Sequence, residues 1–436
     1  MNNAVATIKT ITAIGVAMLT LVGNISAQLY VDSAGARFRF AQTYLGLDMQ
    51  MQSSGGRIRY TSADGLLKND VLDARLSPRI TIGGMHFWGH ADFYVTFAPF
   101  GTTTQRIAEN SDRLNAAYTL GTETGARFYP WRVEREALRP FVGIAWQPGA
   151  YRQTVNGEAG MVLNLDCTAL SLGASYQTGD IIIEGGARYI AGTDNLEYYT
   201  TRTDITRISL PSTAFWLGAK YVFDTTQPTE KAVQSGGLKR LEHFYREREA
   251  MNSFTVAVGP SFAWSASPSP HNEALYPFLN PRNGTTIAEI GLGYYLHDID
   301  AHLNLAVRNI NSSQRVFGLE QRLTRTSIGL EGYKFFFDYH GFVPFMGAGL
   351  SFESLSAEQN DRNEPSVSAR STKLLPYVII GWDIRPTAVE WFLLRTNIRY
   401  TPNLTLTMPG GRDIRFTDME VNFIQLVVNL NRLFAR

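Results

Sequence analysis

Two segments, 138–146 and 342–350, carry the same alternation of large and small residues. In each, one alternate set is largely bulky and apolar and the other is small: Val142, Ile144 and Trp146 against Gly143 and Ala145, then Met346, Ala348 and Leu350 against Gly347 and Gly349. A strict period of two predicts a β-strand. Apolar residues on one face and small ones on the other fit a strand with lipid outside and a crowded interior. A soluble sandwich strand would instead point its large residues inward, so the alternation alone leaves both folds open.

Alternation of this kind predicts an all-β chain with eight strands in each half. The strands are expected near 37–51, 79–87, 91–98, 116–129, 138–147, 161–177, 180–190 and 213–223, then near 252–264, 285–296, 300–309, 324–338, 342–354, 373–383, 389–400 and 419–430. Long polar connections follow the odd strands: 52–78, 99–115, 148–160, 191–211, 265–284, 310–323, 354–371 and 401–418. After most even strands the turns are short. Long connections on one side and short turns on the other are typical of transmembrane antiparallel barrels, whereas a sandwich has no such bias.

The N-terminus reads as a secretory signal peptide. Lys9 precedes an apolar run from Ile11 to Val22, and small residues lead up to Ala27. A short apolar run of this kind with a small-residue cleavage site predicts removal of residues 1–27. Cys167 is the only cysteine, so neither an intrachain disulfide nor a thiolate metal cluster is possible.

Composition narrows the class of protein further. The chain is 44% apolar and 18% charged, with 38 glycines. After the signal, no apolar run reaches the roughly 18 residues that a membrane helix needs. Loss of Lys9 with the signal leaves equal numbers of basic and acidic residues, which argues against a nucleic-acid binder. An exported all-β protein or an outer-membrane barrel remains.

Three features point to a resemblance with a known family. They are the twin Pro-Phe-x-Gly segments, which begin at Pro140 and Pro344, the loop asymmetry and the strand count. Each half resembles the small OmpA/OmpX-type outer-membrane barrels. The alternate residues of the two closing strands are similar to the terminal strand by which such barrels are recognised for assembly: Phe215, Leu217, Ala219, Tyr221 and Phe223, and Ile424, Leu426, Val428 and Leu430. The resemblance implies location in the cell outer membrane, with outer-membrane lipid and the barrel assembly machinery as partners.

Two eight-stranded repeats, 28–223 and 253–436, are therefore expected, joined by a periplasmic linker at 224–252. Two tandem barrels are favoured over one sixteen-stranded barrel, because small inner faces suit an eight-stranded interior filled by side chains. The linker begins as a polar tether, and its later part forms a possible helix. That helix would either stay a charged tether or dock under a barrel.

Charged residues at inward positions predict an interior charge network. Glu123 and Arg127 share one face of the fourth strand, and Glu184 and Arg188 share one face of the seventh. Counted from the short-turn rim, Arg127 matches Glu184 in height and Glu123 matches Arg188. Buried charges need partners, so these pairs are expected to satisfy each other, unless they line a wet channel. In the second half, Glu331 and Arg399 occupy positions that correspond to Glu123 and Arg188, and Arg395 occupies the position that corresponds to Glu184. The predicted network therefore consists of Glu123, Arg127, Glu184, Arg188, Glu331, Arg395 and Arg399.

Catalytic and metal-binding interpretations are weak. The histidines of 86–90, and the histidines and aspartates of 297–302, fall at predicted short turns, where polar residues mark the membrane boundary. No Ser–His–acid motif suggests a triad, and no glycine-rich loop precedes a helix. The acidic cluster at 361–364 is read as a solvated loop tip rather than a calcium site. We therefore expect no cofactor, no metal and no enzymatic activity.

Two classes of function remain open. The first is a non-catalytic structural or surface-interaction protein that contacts an extracellular ligand through its loops. Candidate contacts are the aromatic loop residues Tyr198, Tyr199, Trp264, Tyr276 and Phe278, which could equally be membrane-interface anchors. The second class is a diffusion pore or transporter, expected if all sixteen strands enclose one lumen.

Overall fold

The structure is a computed structural model. It describes residues 41–435, apart from 63, 100–101, 110–112, 133–135, 225–236, 281, 283, 340, 363 and 387–388. The signal peptide predicted at 1–27 lies outside the described residues. Among those residues, no helix is long and apolar enough to cross a membrane.

The first half of the chain forms fourteen strands. They are β1 (Ala41–Gln52), β2 (Gly55–Thr61), β3 (Leu67–Leu72), β4 (Arg75–His86), β5 (Ala91–Phe97), β6 (Thr102–Glu109), β7 (Arg113–Leu120), β8 (Glu123–Phe128), β9 (Leu138–Val155), β10 (Glu158–Thr178), β11 (Ile181–Ala191), β12 (Leu196–Tyr199), β13 (Ile205–Ile208) and β14 (Thr213–Asp224). Eight of them pair antiparallel in the order β1-β4-β5-β8-β9-β10-β11-β14, and β14 pairs back onto β1. These eight strands are called the first ring.

The second half forms a closed eight-stranded barrel. Its strands are β15 (Ser253–Trp264), β16 (Gly284–Leu296), β17 (Ala301–Val316), β18 (Leu319–Phe335), β19 (Phe342–Asp361), β20 (Glu364–Ile384), β21 (Phe392–Tyr400) and β24 (Met419–Asn429), with β22 (Thr405–Thr407) and β23 (Asp413–Arg415) as a separate hairpin. This barrel is called the second ring. Within the described residues, no strand of one ring pairs with a strand of the other.

The two ends of each ring differ. At one end, called the turn end, strands are joined by short connections such as 87–90 and 297–300. At the other, called the hairpin end, the connections include β2–β3, β6–β7, β12–β13 and β22–β23.

Three of the connections expected to be long loops are continuations of the strands. β9 and β10 stay paired beyond Pro148 up to a tight turn at Asn156 and Gly157, whose φ values are 51° and 88°. β17 and β18 do the same, with a turn at Phe317 and Gly318, and β19 and β20 stay paired through most of 354–371. Outward apolar alternation stops in these extensions, but backbone pairing does not, because the outer face of a strand beyond an apolar layer can be polar.

Each ring carries an apolar cluster at its hairpin end. In the first ring, Ile58, Leu72, Tyr118, Tyr151 and Tyr198 belong to one buried cluster above the charged interior. In the second ring, the β22–β23 hairpin packs inward against the extended strands; the buried members there include Leu323, Leu355, Leu404, Leu406 and Ile414. Both mouths are therefore covered by hydrophobic cores.

Three helices complete the described chain: α1 (Gly237–Glu247), α2 (Pro270–Leu275) and α3 (Leu430–Ala435). Tyr245 of α1 is fully buried in a cluster with Met251 and Val389, next to Ala435 of α3. The linker helix thus docks at the turn end of the second ring. The chain ends in a helix, so Leu430, expected on the last strand, is instead the first residue of α3.

The two rings lie side by side. At the turn end, Phe87 contacts Phe342, and Phe93 contacts Trp382, with ring centroids 5.3 and 5.5 Å apart. At the hairpin end, Arg202 of the first half donates two hydrogen bonds of 2.8 Å to the Asp361 carboxylate.

Candidate functional site

The distribution of polarity is inverted relative to a soluble protein. Alternate residues of the ring strands point outward, are large and apolar, and are exposed: Leu45, Leu47, Leu170, Leu172, Ile183 and Leu217 in the first ring, and Ile290, Leu292, Leu303, Leu330, Leu350 and Ile380 in the second. The intervening residues point inward, and many of them are buried and charged. Since a strand alternates between two faces, each ring has an apolar outside and a polar lumen.

In the first ring the layer of charges nearer the hairpin end is built around Glu123. Arg79 contacts Asp48 at 2.6 Å and Glu123 at 2.9 Å, and Arg188 forms a second ion pair with Glu123. Tyr94 donates a hydrogen bond of 2.7 Å to the same carboxylate. Two carboxylates and two guanidinium groups make this layer neutral.

The layer nearer the turn end is built around Asp92 and Glu184. Arg127 lies 2.9 Å from Glu184, and Lys220 lies 2.7 Å from Glu184 and 3.2 Å from Asp92. Tyr44 donates a hydrogen bond of 2.6 Å to Asp92. This layer also contains two anions and two cations, and the side chains of all of them are at most 4% exposed.

Aromatic rings fill the space around these charges. The Arg188 guanidinium lies 4.8 Å from the centre of the Trp216 ring, and that of Arg127 lies 4.2 Å from the centre of the Tyr94 ring. Gly186 makes room for Trp216, because a Cβ there would lie 2.6 Å from the indole. The lumen of the first ring is therefore packed rather than open at this level.

The second ring holds one larger cluster, centred on Glu420. That carboxylate accepts from Arg308 at 2.8 Å, from Arg325 at 2.7 Å and from Arg399 at 2.9 Å. Further carboxylates surround the three guanidinium groups: Arg325 is bidentate to Glu353, while Arg399 is bidentate to Glu289 and lies 2.7 Å from Glu331. The cluster thus contains four carboxylates and three guanidinium groups.

A separate pair lies nearer the turn end of the second ring. Arg395 donates to both oxygens of Asp383, at 2.7 and 2.9 Å. Its guanidinium also lies 5.0 Å from the centre of the Tyr333 ring. Among the described residues, Arg395 forms its ion pair with Asp383 and none with the carboxylates of the Glu420 cluster.

Six of the seven predicted network residues fall into three pairs, and Arg395 pairs instead with Asp383. The structure brings Arg127 to Glu184, Arg188 to Glu123 and Arg399 to Glu331. Sequence reasoning missed further members of the two lumens: Asp48, Arg79, Asp92 and Lys220 in the first ring, and Glu289, Arg308, Arg325, Glu353, Asp383 and Glu420 in the second. These residues could have been found from the sequence, because each is a charged residue at an inward-facing position of a strand whose alternate, outward-facing residues are apolar. Asp48, between Leu47 and Met49, is an example.

The histidines considered for metal binding have different surroundings. His90 is in a turn, and its Nδ1 lies 2.8 Å from the Tyr129 carbonyl oxygen; burial lowers the pKa of His90. His297 is also in a turn, and burial lowers its pKa as well. His302 points into the lumen instead, with Nε2 2.8 Å from the Thr255 hydroxyl. Asp300 accepts a hydrogen bond of 2.7 Å from Tyr295.

The aromatic residues considered for ligand contact are largely packed inside the protein. Tyr198 is fully buried and donates to the Met161 carbonyl oxygen at 2.9 Å. Phe278 is buried in the cluster that both halves share at the hairpin end. Trp264 stacks near Trp146 of the other ring, with centroids 6.1 Å apart. Tyr199 and Tyr276 are partly buried and pack against that shared cluster. The expectation that these aromatics face a ligand is wrong for the buried Tyr198 and Phe278, because they fill the space between hairpins.

A cleft runs between the two rings. Its lower part, toward the turn end, is a cavity of about 220 Å³ between β4, β5 and β8 on one side and β20, β21 and β24 on the other. Its upper part, toward the hairpin end, is a cavity of about 690 Å³ where Trp146 and Phe262 face each other. Val95 and Thr124 line both parts, so the two cavities adjoin.

No protein-family model matches this sequence, and no curated protein matches it significantly. Among solved structures, Neisserial surface protein A (NspA) is similar at 14% identity over 42% of this chain and 96% of that chain, with a TM-score of 0.25. OmpT of Vibrio cholerae, an outer-membrane protein, is similar at 8% identity over 89% and 97%, with a TM-score of 0.18. The transport unit of the autotransporter AIDA-I from Escherichia coli is similar at 9% identity over 93% and 95%, with a TM-score of 0.20.

Proposed function

We propose that this chain is an integral protein of the cell outer membrane, with a non-catalytic structural or surface-interaction role. The observation that carries the proposal is the inverted distribution of polarity on both rings. Exposed residues such as Leu172, Leu217 and Leu330 are between 61% and 66% accessible. In water that apolar surface would be unfavourable by about 25 cal/mol per Å². In a lipid bilayer it is the surface expected of a barrel.

Strand closure supports the same location. Every ring strand has two antiparallel neighbours, so each ring closes on itself, while the strand extensions at the hairpin end pair on one side only. Unpaired backbone groups in hydrocarbon cost several kcal/mol each, and closed barrels avoid that cost.

The filled lumens favour a structural role over a pore. Both interiors are occupied by paired charges, and both mouths are covered by apolar clusters at the hairpin end. The alternative of a diffusion pore within a single sixteen-stranded barrel has less support, since the strands pair as two separate rings.

We also propose that the two rings are a tandem duplication of an OmpA/OmpX-like barrel. The fifth strand of each ring, β9 or β19, carries the Pro-Phe-x-Gly segment. Glu123 and Glu331 lie on fourth strands, and each forms an ion pair with an arginine of the seventh strand, Arg188 or Arg399. Matching pairs on matching strands are expected from duplication.

In this arrangement the hairpin end faces outward from the cell, and α1 lies in the periplasm. Outer-membrane barrels have short periplasmic turns and longer extracellular loops, which is the asymmetry seen here. An extracellular ligand would meet the hairpins, and the barrel assembly machinery would insert the strands.

Cell fractionation and planar-bilayer recording test the proposal. The mature chain is expected in the outer-membrane fraction, to migrate differently on gels before and after heating, and to pass little current. Recovery as a soluble species without detergent would refute the membrane location. Large, steady conductance of the folded chain would favour the pore instead.

A further inference from the structure

The cleft between the rings is lined by residues of the lipid-facing type. Ala126 and Thr124 project outward from β8, and Thr396 and Ile398 project outward from β21. In both strands the alternate residues point inward and are buried, as at Arg127 and Arg399. The cleft is thus a gap between two outer surfaces, at the depth of the apolar layer.

Polarity changes along this cleft. The lower cavity is lined mainly by apolar side chains, including Phe93, Ile384, Leu394 and Ile424. The upper cavity adds polar and charged groups to its aromatic wall, among them Asn164, Asn280, Asp166 and Arg282. Since the two cavities adjoin, the cleft runs from an apolar bottom to a polar top.

Contacts between the rings enclose the cleft at both ends. Phe93 and Trp382 meet at the turn end. At the hairpin end, the Asn280 side chain accepts from the Asn164 backbone NH at 2.7 Å and donates to the Val162 carbonyl oxygen at 2.8 Å. These contacts fix the spacing of the rings at both ends of the cleft, while Trp146 and Phe262, with ring centroids 4.1 Å apart, meet across its upper part.

Neither water nor empty space suits the lower cavity. A void forfeits the dispersion contacts of its lining atoms. A buried water needs two to four polar partners, and most of this lining is apolar, with polar groups such as Thr124 and His86 in the minority. In a bilayer the remaining occupant is a hydrocarbon chain, because the lining continues the surface that the proposed function places in lipid.

We propose that one outer-leaflet lipid is bound between the two rings. Its acyl chain lies in the lower cavity, and its polar headgroup lies in the upper cavity near Asn164, Asn280 and Arg282. The lipid fills the cleft and joins two barrels that share no strand pairing. This inference rests on the proposed membrane location.

Native mass spectrometry of the full chain, extracted from the outer membrane in mild detergent, tests the proposal. The expected spectrum shows one lipid mass per chain. A second sample, refolded in lipid-free dodecyl maltoside, is titrated with palmitoyl-oleoyl phosphatidylethanolamine and should take up one molecule.

Two substitutions fill the cavity from opposite sides, Ala126→Trp on the first ring and Thr396→Phe on the second. Each should abolish the lipid-bound peak while the protein stays heat-modifiable. The matched control is Ala219→Trp on β14, whose outward side chain is exposed away from the cleft. This control should retain the peak.

Heat-modifiable wild-type chain from the outer-membrane fraction with no bound lipid would overturn the inference but leave the proposed function intact. Equal lipid binding by wild type, Ala126→Trp and Thr396→Phe would also overturn it, because binding would then lie elsewhere. If Ala126→Trp fails to fold, Thr396→Phe and the wild-type titration still decide. A chain absent from the outer membrane would instead refute the proposed function.

Discussion

Both rings bury charged side chains in their interiors, but the two rings pair these charges differently. In the first ring, Glu123 is held by Arg79 and Arg188, and the charges form two neutral layers. In the second, three guanidinium groups converge on Glu420, and the cluster has one carboxylate in excess. The first ring has fewer contacts per charge, and the second has more.

The difference shows that contact number is a poor guide to what a residue contributes. Without Glu123, Arg188 has no other carboxylate within ion-pair distance among the described residues, and its layer becomes positive. Without Glu420, Arg325 keeps Glu353, Arg399 keeps Glu289, and the cluster becomes neutral. The cost of a substitution should follow the charge left without a partner, not the number of bonds removed.

Each ring is treated as a closed unit, and the largest effect on folding is expected from a truncation that opens one ring. Fragments 28–226 and 237–436 should each insert and become heat-modifiable, because β14 pairs with β1 and β24 pairs with β15. Residues 28–211, which lack β14, should not fold, since β1 and β11 would then have open edges in lipid. Gel shifts after refolding in detergent measure each outcome.

Failure of both complete fragments, together with large conductance of the whole chain, would favour one large pore. Folding of the fragment without β14 would show that closure is unimportant, and would remove the basis for treating the rings separately.

In the first ring, Glu123→Gln should be strongly destabilising. Loss of one partner of a fully buried pair costs about 3–5 kcal/mol. The urea midpoint of the whole chain should fall, and adding Arg188→Met should restore part of the loss, because the unpaired cation is removed with it. Strict additivity of the two substitutions would mean that the residues do not interact.

In the second ring, Glu420→Gln should cost less, about 1–3 kcal/mol, as for a buried group left with incomplete hydrogen bonding. The reason is that two of the three arginines keep bidentate partners, Glu353 and Glu289. The same urea titration compares it directly with Glu123→Gln. A larger loss at Glu420 than at Glu123 would reverse the rule drawn from the comparison.

The smallest effect is expected at the exposed pair of Arg370 and Glu358. Their side chains are 77% and 40% exposed, at a distance of 3.4 Å. Glu358→Gln should change stability by no more than about 0.5 kcal/mol, because exposed ion pairs contribute little. It serves as the control for carboxylate loss as such, and a cost comparable with Glu123→Gln would undermine both buried-pair predictions.

Much of the fold could be predicted from alternation, because one face of each ring strand carries large apolar residues and the other carries small or polar ones. The strand expected at 213–223 is observed as β14, Thr213–Asp224. Alternation ends where the apolar layer ends, so it could not reveal that β9 continues to Val155. The Asn156-Gly157 pair was the missed signal, since Asn-Gly strongly favours a two-residue hairpin turn.

The interior site was only partly predictable. Alternation assigns a face, so Glu123 and Arg188 could be placed inside at matched depth. It does not say which strands face each other across the lumen, and so the triple contact at Glu420 was invisible. The packing of Tyr198 and Phe278 was equally hidden, because aromatic residues in connections have the same sequence signal whether they face a ligand or another hairpin.

The pairing of each ring's last strand with its own first strand has a consequence for biogenesis. Among the described strands, the longest-range pairings are those between β1 and β14 and between β15 and β24, each within its own ring. Non-local pairings slow folding as the separation between partners grows. Because β14 precedes every strand of the second ring, the first barrel can be sealed while the second is still unassembled. For the proposed outer-membrane location, this means two short insertions in succession, each with its own small exposed intermediate, instead of one long one.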